Sequence, residues 1–261
     1  MALHPVQNVA VTRPSSLAAD GVAFVRTCAV WTFSITFWTL YLTVEVLTLR
    51  QLPDRWFVGC VRWWAARALW LVGARLDFPL EDPMVEPEAR VLICNHQSGL
   101  DLLWGGLICP ARPLAIGKKE LIWIPLVNVL WWALRFIRID RSNTAKALEA
   151  LEGVAEEVRT NRRTLILAPE GTRTRDGRIG PFKKGAFQIA RKAGVKIHPV
   201  VVHGPFACMP RGSFLMRGGS MRLRYLEPVD VSGWKDEDLE AQIEKVRLRM
   251  IEVLVALGGR P

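Results

Sequence analysis

The sequence lacks the patterns that mark a metal protein. Its five cysteines, Cys28, Cys60, Cys94, Cys109 and Cys208, are odd in number and scattered, with no Cys-x-x-Cys pair. That excludes a zinc module and argues for reduced, mostly buried thiols of the kind kept in a cytosolic compartment. The four histidines, His4, His96, His198 and His203, make no His-x-x-x-His pair and stand beside no acidic cluster, so no metal is expected. No internal repeat or low-complexity tract is present. Tyrosine is scarce, two residues against eleven tryptophans, and no aromatic-rich recognition motif accompanies the basic stretches, which argues against nucleic acid as a partner.

What is present is apolar and locally basic. Half of the 261 residues are hydrophobic and the mean hydropathy is +0.16, which excludes disorder and makes contact with lipid plausible. The formal charge of +10 is concentrated: between Ala111 and Tyr225 there are 22 Lys/Arg and 8 Asp/Glu, a net of +14, while the remainder carries −4. A local positive field suits an anionic partner, which on charge alone is nucleic acid, anionic lipid, a phosphorylated small molecule or an acidic carrier protein; an ordinary solvated basic surface is the alternative.

Residues 27–44 carry no charge, close to the minimum of about 20 helical residues that cross a bilayer. Thr32, Thr36, Thr39 and Thr43, spaced 4, 3 and 4, form a polar stripe that calls for a partner helix or the lipid interface. The expected partner is a second helix over 55–74, where Trp56, Trp63 and Trp70 recur every seven residues beside Arg55 and Arg62. Tryptophan prefers the headgroup level and arginine reaches phosphates, so this helix is expected to lie in or dip into one leaflet. An ordinary helical hairpin packed on the domain is the alternative. With no basic segment before it and no small-x-small site soon after it, the run reads as an anchor and not as a cleaved leader. The chain therefore divides into a tail (1–21), a two-helix membrane-associating motif (22–79) and an α/β domain (80–261).

In the third part, strand-like runs at 90–94, 114–116, 136–139, 164–168, 196–202 and 221–226 alternate with helical runs at 99–109, 120–135, 144–160, 184–193 and 236–257. The order predicts an α/β fold, a mostly parallel sheet flanked by helices, with its site at the carboxyl ends of the strands. The run at 120–135 is apolar almost all round and must be buried or touch lipid or an acyl chain.

Residues 95–101 read Asn-His-Gln-Ser-Gly-Leu-Asp. Asp101, in the first turns of the following helix, is placed to reach back to Nδ1–H of His96, fix its tautomer and leave Nε2 as a base, the base-and-orienter half of a Ser-His-Asp triad. No nucleophilic serine is needed if the substrate brings the hydroxyl. Taken alone the spacing is a weak pattern, and a structural histidine remains open. A second stretch, 167–185, leaves a strand as a glycine-rich loop bearing Arg173, Arg175, Arg178, Lys183 and Lys184, suited to an anion by its forked donors and accessible backbone. Ile-Asp-Arg at 139–141 and Gly-Lys-Lys at 117–119 end two further strands.

Together, the 95–101 block, Ile-Asp-Arg (139–141), Pro-Glu-Gly-Thr-Arg (169–173) and a valine-rich strand containing Pro199 resemble the glycerophospholipid acyltransferases, the family of 1-acyl-glycerol-3-phosphate (lysophosphatidic acid) O-acyltransferases. The resemblance covers about residues 85–230, and the two-helix membrane motif of the family's bacterial members extends it to the N-terminus. It implies His96 as general base and Asp101 as its partner, with Lys118, Arg141 and Arg173 for the acceptor's phosphate and Glu170, Gly171 and Thr172 shaping the acceptor site. It also implies acyl-CoA or acyl-carrier protein as co-substrate with no cofactor, lysophosphatidic acid or a related lyso-lipid as acceptor, and phosphatidic acid as product. The setting implied is a phospholipid bilayer, with the catalytic domain on the cytoplasmic face of a bacterial inner membrane. Departures at Arg138, Ala168 and His198 leave the catalytic pair intact and keep another acceptor open, such as a lyso-ornithine lipid. Two readings of other classes are a metal-dependent phosphoesterase built on His96, Asp101 and Glu170, and a silent lipid or carrier-protein binder, against which the intact His/Asp spacing argues.

Overall fold

The structure is a computed structural model that describes residues 17–49, 51–79, 86–117, 137–138 and 144–261. Helices α1 (Leu17–Leu47) and α2 (Asp54–Val72) come first, followed by strand β1 (Ala74–Asp77). The remaining strands are β2 (Arg90–Cys94), β3 (Pro113–Gly117), β4 (Ile137–Arg138), β5 (Thr164–Leu167), β6 (Ile197–His203) and β7 (Gly219–Tyr225). Between and after them lie α3 (Asp101–Leu107), α4 (Thr144–Thr160), α5 (Gly185–Ala193), α6 (Pro205–Cys208) and α7 (Leu239–Ala256).

Seven described strands form one sheet in the order β1-β7-β6-β2-β5-β3-β4. Every pairing is parallel except β6 with β7. β2, Arg-Val-Leu-Ile-Cys, is buried along its whole length because β5 and β6 flank it and helices cover both faces. Such a strand reads as a continuous apolar run and not as an alternating one. Its side chains still alternate between two cores. Leu92 and Cys94 join Val200, Val202 and Met221 beneath α2 and α3. Val91 and Ile93 join Leu165 and Val201 beneath α4, α5 and α7.

α2 is the hinge between the helical pair and the sheet. Phe57, Val61, Trp64, Ala65, Ala68 and Leu69 are buried, and at Gly106 of α3 a Cβ would stand 3.1 Å from that of Ala65, so the two helices meet where neither has bulk. Arg62 donates from Nε and a terminal nitrogen to the Cys109 carbonyl at 2.8 and 2.6 Å, tying α2 to the end of α3. α1 packs on α2 through Trp38, set edge-on to Trp64 at 5.3 Å, and through Ser34, which accepts Trp64 Nε1–H at 3.0 Å.

The observed elements differ from the sequence reading in several places. The uncharged run 27–44 lies within a 31-residue helix, the one helix among the described residues that is long and apolar enough to cross a membrane. Its threonine stripe does not face α2. Thr32, Thr36, Thr39 and Thr43 are exposed, and Phe33 and Phe37 make the contact, with Phe37 stacked on Trp63 at 5.4 Å. A ring buries more apolar area than a threonine methyl, so the aromatic flank wins the interface. The second helix stops at Val72, where Gly73 (φ 78°) donates back to the Leu69 and Trp70 carbonyls. A left-handed residue there favours glycine, and it turns the chain into β1, an edge strand invisible in the sequence because Ala-Arg-Leu-Asp has no β-branched residue. The short α6 was also not foreseen. The predicted helix at 120–135, with Lys118 and Arg141, lies outside the described residues.

Candidate active site

β2 runs out at Cys94, and the next seven residues build a loop whose polar groups are almost all engaged. Asn95 comes first. Its Nδ2–H donates to the Val202 carbonyl and its Oδ1 accepts Val202 N–H, both at 2.8 Å, so the side chain adds one more rung between β2 and β6. His96 then projects from the carboxyl end of β2, its side chain 35% exposed.

The histidine is held at both backbone atoms. Its N–H donates to Glu170 Oε1 at 2.9 Å, and its carbonyl accepts Thr174 N–H at 2.9 Å. Its Nδ1 lies 2.7 Å from Asp101 Oδ2. Asp101 opens α3, and the same Oδ2 accepts Gln97 N–H at 2.8 Å and Ser98 N–H at 3.0 Å, while Oδ1 accepts Trp104 Nε1–H at 2.9 Å. With three donors besides the imidazole, Asp101 is the acceptor in the pair. The proton therefore sits on Nδ1 and the lone pair on Nε2.

The Pro-Glu-Gly-Thr-Arg block leaves the neighbouring strand β5 and meets this loop. Glu170 is buried, and its second oxygen accepts Gly180 N–H at 3.1 Å, so one carboxylate laces the His96 backbone to the far arm of the 168–184 loop. Burial raises its pKa, against the pull of the two backbone donors. Gly171 (φ 69°) reverses the chain; a Cβ there would also stand 3.0 Å from Lys183 Nζ. The turn leaves Thr172 exposed and Arg173 half-buried. The Arg173 guanidinium lies near Gly99, 3.7 Å from where a Cβ of that residue would be.

The structure thus brings His96, Asp101, Glu170, Gly171 and Arg173 to the adjacent carboxyl ends of β2 and β5, with Thr172 on the outer surface. Lys118 and Arg141 lie outside the described residues. Sequence reasoning gave no part to the Gln97, Ser98 and Thr174 backbones or to the side chains of Asn95 and Trp104. Trp104 had a signal, its place three residues after Asp101 on one helix face. Asn95 had none, because its partner is 107 positions away.

The two cysteines that border the 95–101 loop and the 209–217 segment are buried. Cys94 is buried beside Asp101 and Glu170, and burial foremost pushes its thiol far up. Cys208 is pushed up to about 11 by the same cause. Among the described residues no three His, Cys, Asp or Glu side chains are grouped to hold a metal ion.

A sequence model of the family described as Acyltransferase matches residues 80–203. A 1-acyl-sn-glycerol-3-phosphate acyltransferase of Cocos nucifera is 31% identical over 186 residues, 71% of this chain and 60% of that relative. The chain thus spans about three fifths of the coconut relative's length. One of Haemophilus influenzae with the same description is 31% identical over 182 residues, 70% of this chain and 75% of that relative. The crystal structure of the 1-acyl-sn-glycerophosphate (LPA) acyltransferase from Thermotoga maritima superposes with a TM-score of 0.75 at 26% identity, covering 90% of this chain and 96% of that one.

Proposed function

The chain belongs to the acyltransferase family of the 1-acyl-sn-glycerol-3-phosphate acyltransferases, and on that premise we propose that it moves a fatty acyl group from acyl-CoA or acyl-carrier protein to the sn-2 hydroxyl of 1-acyl-glycerol-3-phosphate, giving phosphatidic acid. The observation that carries the reading is the His96–Asp101 pair at 2.7 Å, with the aspartate locked by three further donors.

His96 Nε2 takes the proton of the acceptor hydroxyl as its oxygen attacks the thioester carbonyl. The tetrahedral oxyanion collapses, the C–S bond breaks and the proton passes from Nε2 to the departing sulfur. Asp101 stabilises the imidazolium between the two transfers without taking its proton. General base catalysis of this kind contributes about 10²–10⁴ in rate, and holding both substrates in register contributes about 7–11 kcal/mol of the barrier. Arg173 is the proposed ligand of the acceptor's phosphate, with Lys118 and Arg141 as further candidates, and Gly171 and Thr172 shape the turn beside it. The acyl thioester is a co-substrate, and the reaction needs no metal or prosthetic group. CoA and carrier protein are both acidic and meet the +14 half of the chain. The proposed setting is a phospholipid bilayer, the catalytic domain on the cytoplasmic face of a bacterial inner membrane, with α1 supporting the membrane part of that reading.

Thioester consumption by purified protein in detergent, given acyl-CoA and 1-acyl-glycerol-3-phosphate with EDTA present, is the test. Acceptor-dependent thiol release that disappears in His96→Ala is expected. Release that persists in the variant would overturn the base. Release seen only with another lyso-lipid would move the acceptor, a reading kept open by Arg138 and Ala168. Phosphate released from the acceptor without thiol release, and abolished by EDTA, would favour a metal-dependent phosphoesterase, against which both Asp101 oxygens and both Glu170 oxygens are already engaged by protein donors.

A further inference from the structure

The segment between α6 and β7 touches both the His96 loop and the outer helix. At one end, the Met209 carbonyl accepts Ser98 Oγ–H at 2.7 Å, and the Met209 side chain packs against Gly99, where a Cβ would stand 3.2 Å from its terminal methyl. Arg211 reaches the Arg173 carbonyl at 3.4 Å. At the other end, Met216 N–H donates to Thr27 Oγ1 at 2.8 Å, and Arg217 pairs with Asp20 at 2.8 Å, both partners on the first turns of α1.

Between these anchors the chain is tightly folded. Ser213 N–H bonds to the Pro210 carbonyl, Ser213 Oγ accepts Leu215 N–H, and Arg217 N–H bonds to the Cys208 carbonyl. A segment so pinned holds its tip in one place, and the tip is Phe214, 81% exposed, the most exposed aromatic side chain among the described residues. One exposed phenylalanine is ordinary by itself; it points to a contact only together with other exposed apolar side chains nearby.

We propose that the 209–217 segment seats in the interface of a phospholipid bilayer, Phe214 in the acyl boundary and Arg211 at the phosphates, so that the His96 mouth opens onto the membrane. Two observations select lipid over a protein partner. The segment is anchored on the turns of α1 where Leu17, Val22, Phe24 and Val25 are exposed, so exposed apolar side chains stand on both elements joined by these bonds. The flanking exposed charge at Arg211 is positive, complementary to anionic headgroups. An aromatic with a neighbouring arginine is the composition that anchors at the headgroup level. A lyso-lipid dissolved in the bilayer would then reach His96 past Gly99 and Arg173 without crossing water. This deepens the acyl-transfer reading and rests on it for the identity of the passenger.

The test uses the whole chain reconstituted in vesicles of phosphatidylcholine with a minor fraction of phosphatidylglycerol. A fluorophore is attached through Phe214→Cys in a Cys28→Ser background. Lipids carrying a nitroxide near the headgroup should quench it and aqueous iodide should not. Quenching by iodide and not by the nitroxide lipids would overturn the proposal, as would protection from both, which would mean that protein covers the tip. Quenching reads docking whatever the acceptor, so it separates failure of docking from failure of the activity reading. In turnover assays, Phe214→Glu should raise the apparent KM for a vesicle-borne acceptor by about tenfold at unchanged kcat. A short-chain acceptor monomeric in water should be used as before. Equal losses with both acceptors would assign Phe214 to the fold and sink the idea.

Discussion

The loop 95–101 and the helix α1 solve opposite problems. The loop gathers polar atoms at the edge of a buried sheet and satisfies them: Asp101 takes donors from the imidazole, two backbone amides and an indole. α1 does the reverse. It buries Ser34 under Trp64 and Glu45 beside the Tyr41 hydroxyl, and turns Phe24, Ile35, Leu40 and Val46 outward among exposed threonines that carry no charge. In water the second arrangement is unfavourable and in lipid it is not. Changes in the loop should therefore alter rate and stability, whereas changes on the helical pair's outer face should alter where the protein resides.

The largest effect expected is on rate alone. His96→Ala should lower turnover by about 10²–10⁴. Asp101→Asn should lower it by about 10³ or more, because an amide presents a donor where four donors already point. Both variants should keep the helical circular dichroism of the parent and remain in the membrane fraction. Loss of membrane retention in either would show that loop and helices are not separable.

Asn95→Ala should act on stability first. It strips the partners from the Val202 N–H and carbonyl inside the sheet, two buried groups that cost about 1–3 kcal/mol each when left unmade. Denaturant unfolding in mild detergent would read it, and a midpoint equal to the parent's would mean that β6 finds other partners.

Glu170→Gln sharpens the comparison through pH. An amide can accept only one of the two backbone N–H bonds, so the variant should lose about 1–3 kcal/mol. Burial holds the Glu170 carboxyl above its ordinary 4.5 despite the two backbone donors. A carboxyl raised in the fold contributes stability that is fully present below its unfolded value and lost as pH rises through the folded one. The stability difference between parent and variant should accordingly be widest below 4.5 and narrow toward neutrality. A difference that widens instead would show the backbone donors outweighing burial.

How much of this was legible depended on distance along the chain. The apolar run 90–94 announced β2 residue for residue, and the uncharged run announced α1, because both signals are local. His96 and Asp101 could be paired because five positions across a strand-to-helix turn bring them together. Glu170 could be assigned to the site by resemblance, yet not to its bonds with the His96 and Gly180 amides, since the first partner is 74 residues away. β1 was missed because its sequence carries no strand preference and β7 alone pairs it. The threonine stripe could be read as a face but not assigned to α2, because periodicity identifies a face without saying which neighbour takes it.

The smallest expected effects lie on α2, where Trp63 and Trp70 share one face and differ in their neighbours. Trp63 is stacked on Phe37, contacts Phe33 and lies under the Arg67 guanidinium at 5.7 Å. Trp70 is 73% exposed. Trp63→Ala should cost about 1–2 kcal/mol through lost ring contacts and burial. Trp70→Ala should stay within about 0.5 kcal/mol, as exposed substitutions do. If the outer face meets lipid, both variants should nonetheless be released from vesicles by milder salt or detergent than the parent, since each loses an indole from the headgroup layer. Release that follows stability, with Trp63→Ala affected and Trp70→Ala not, would reduce the indole row to packing and leave membrane attachment to α1.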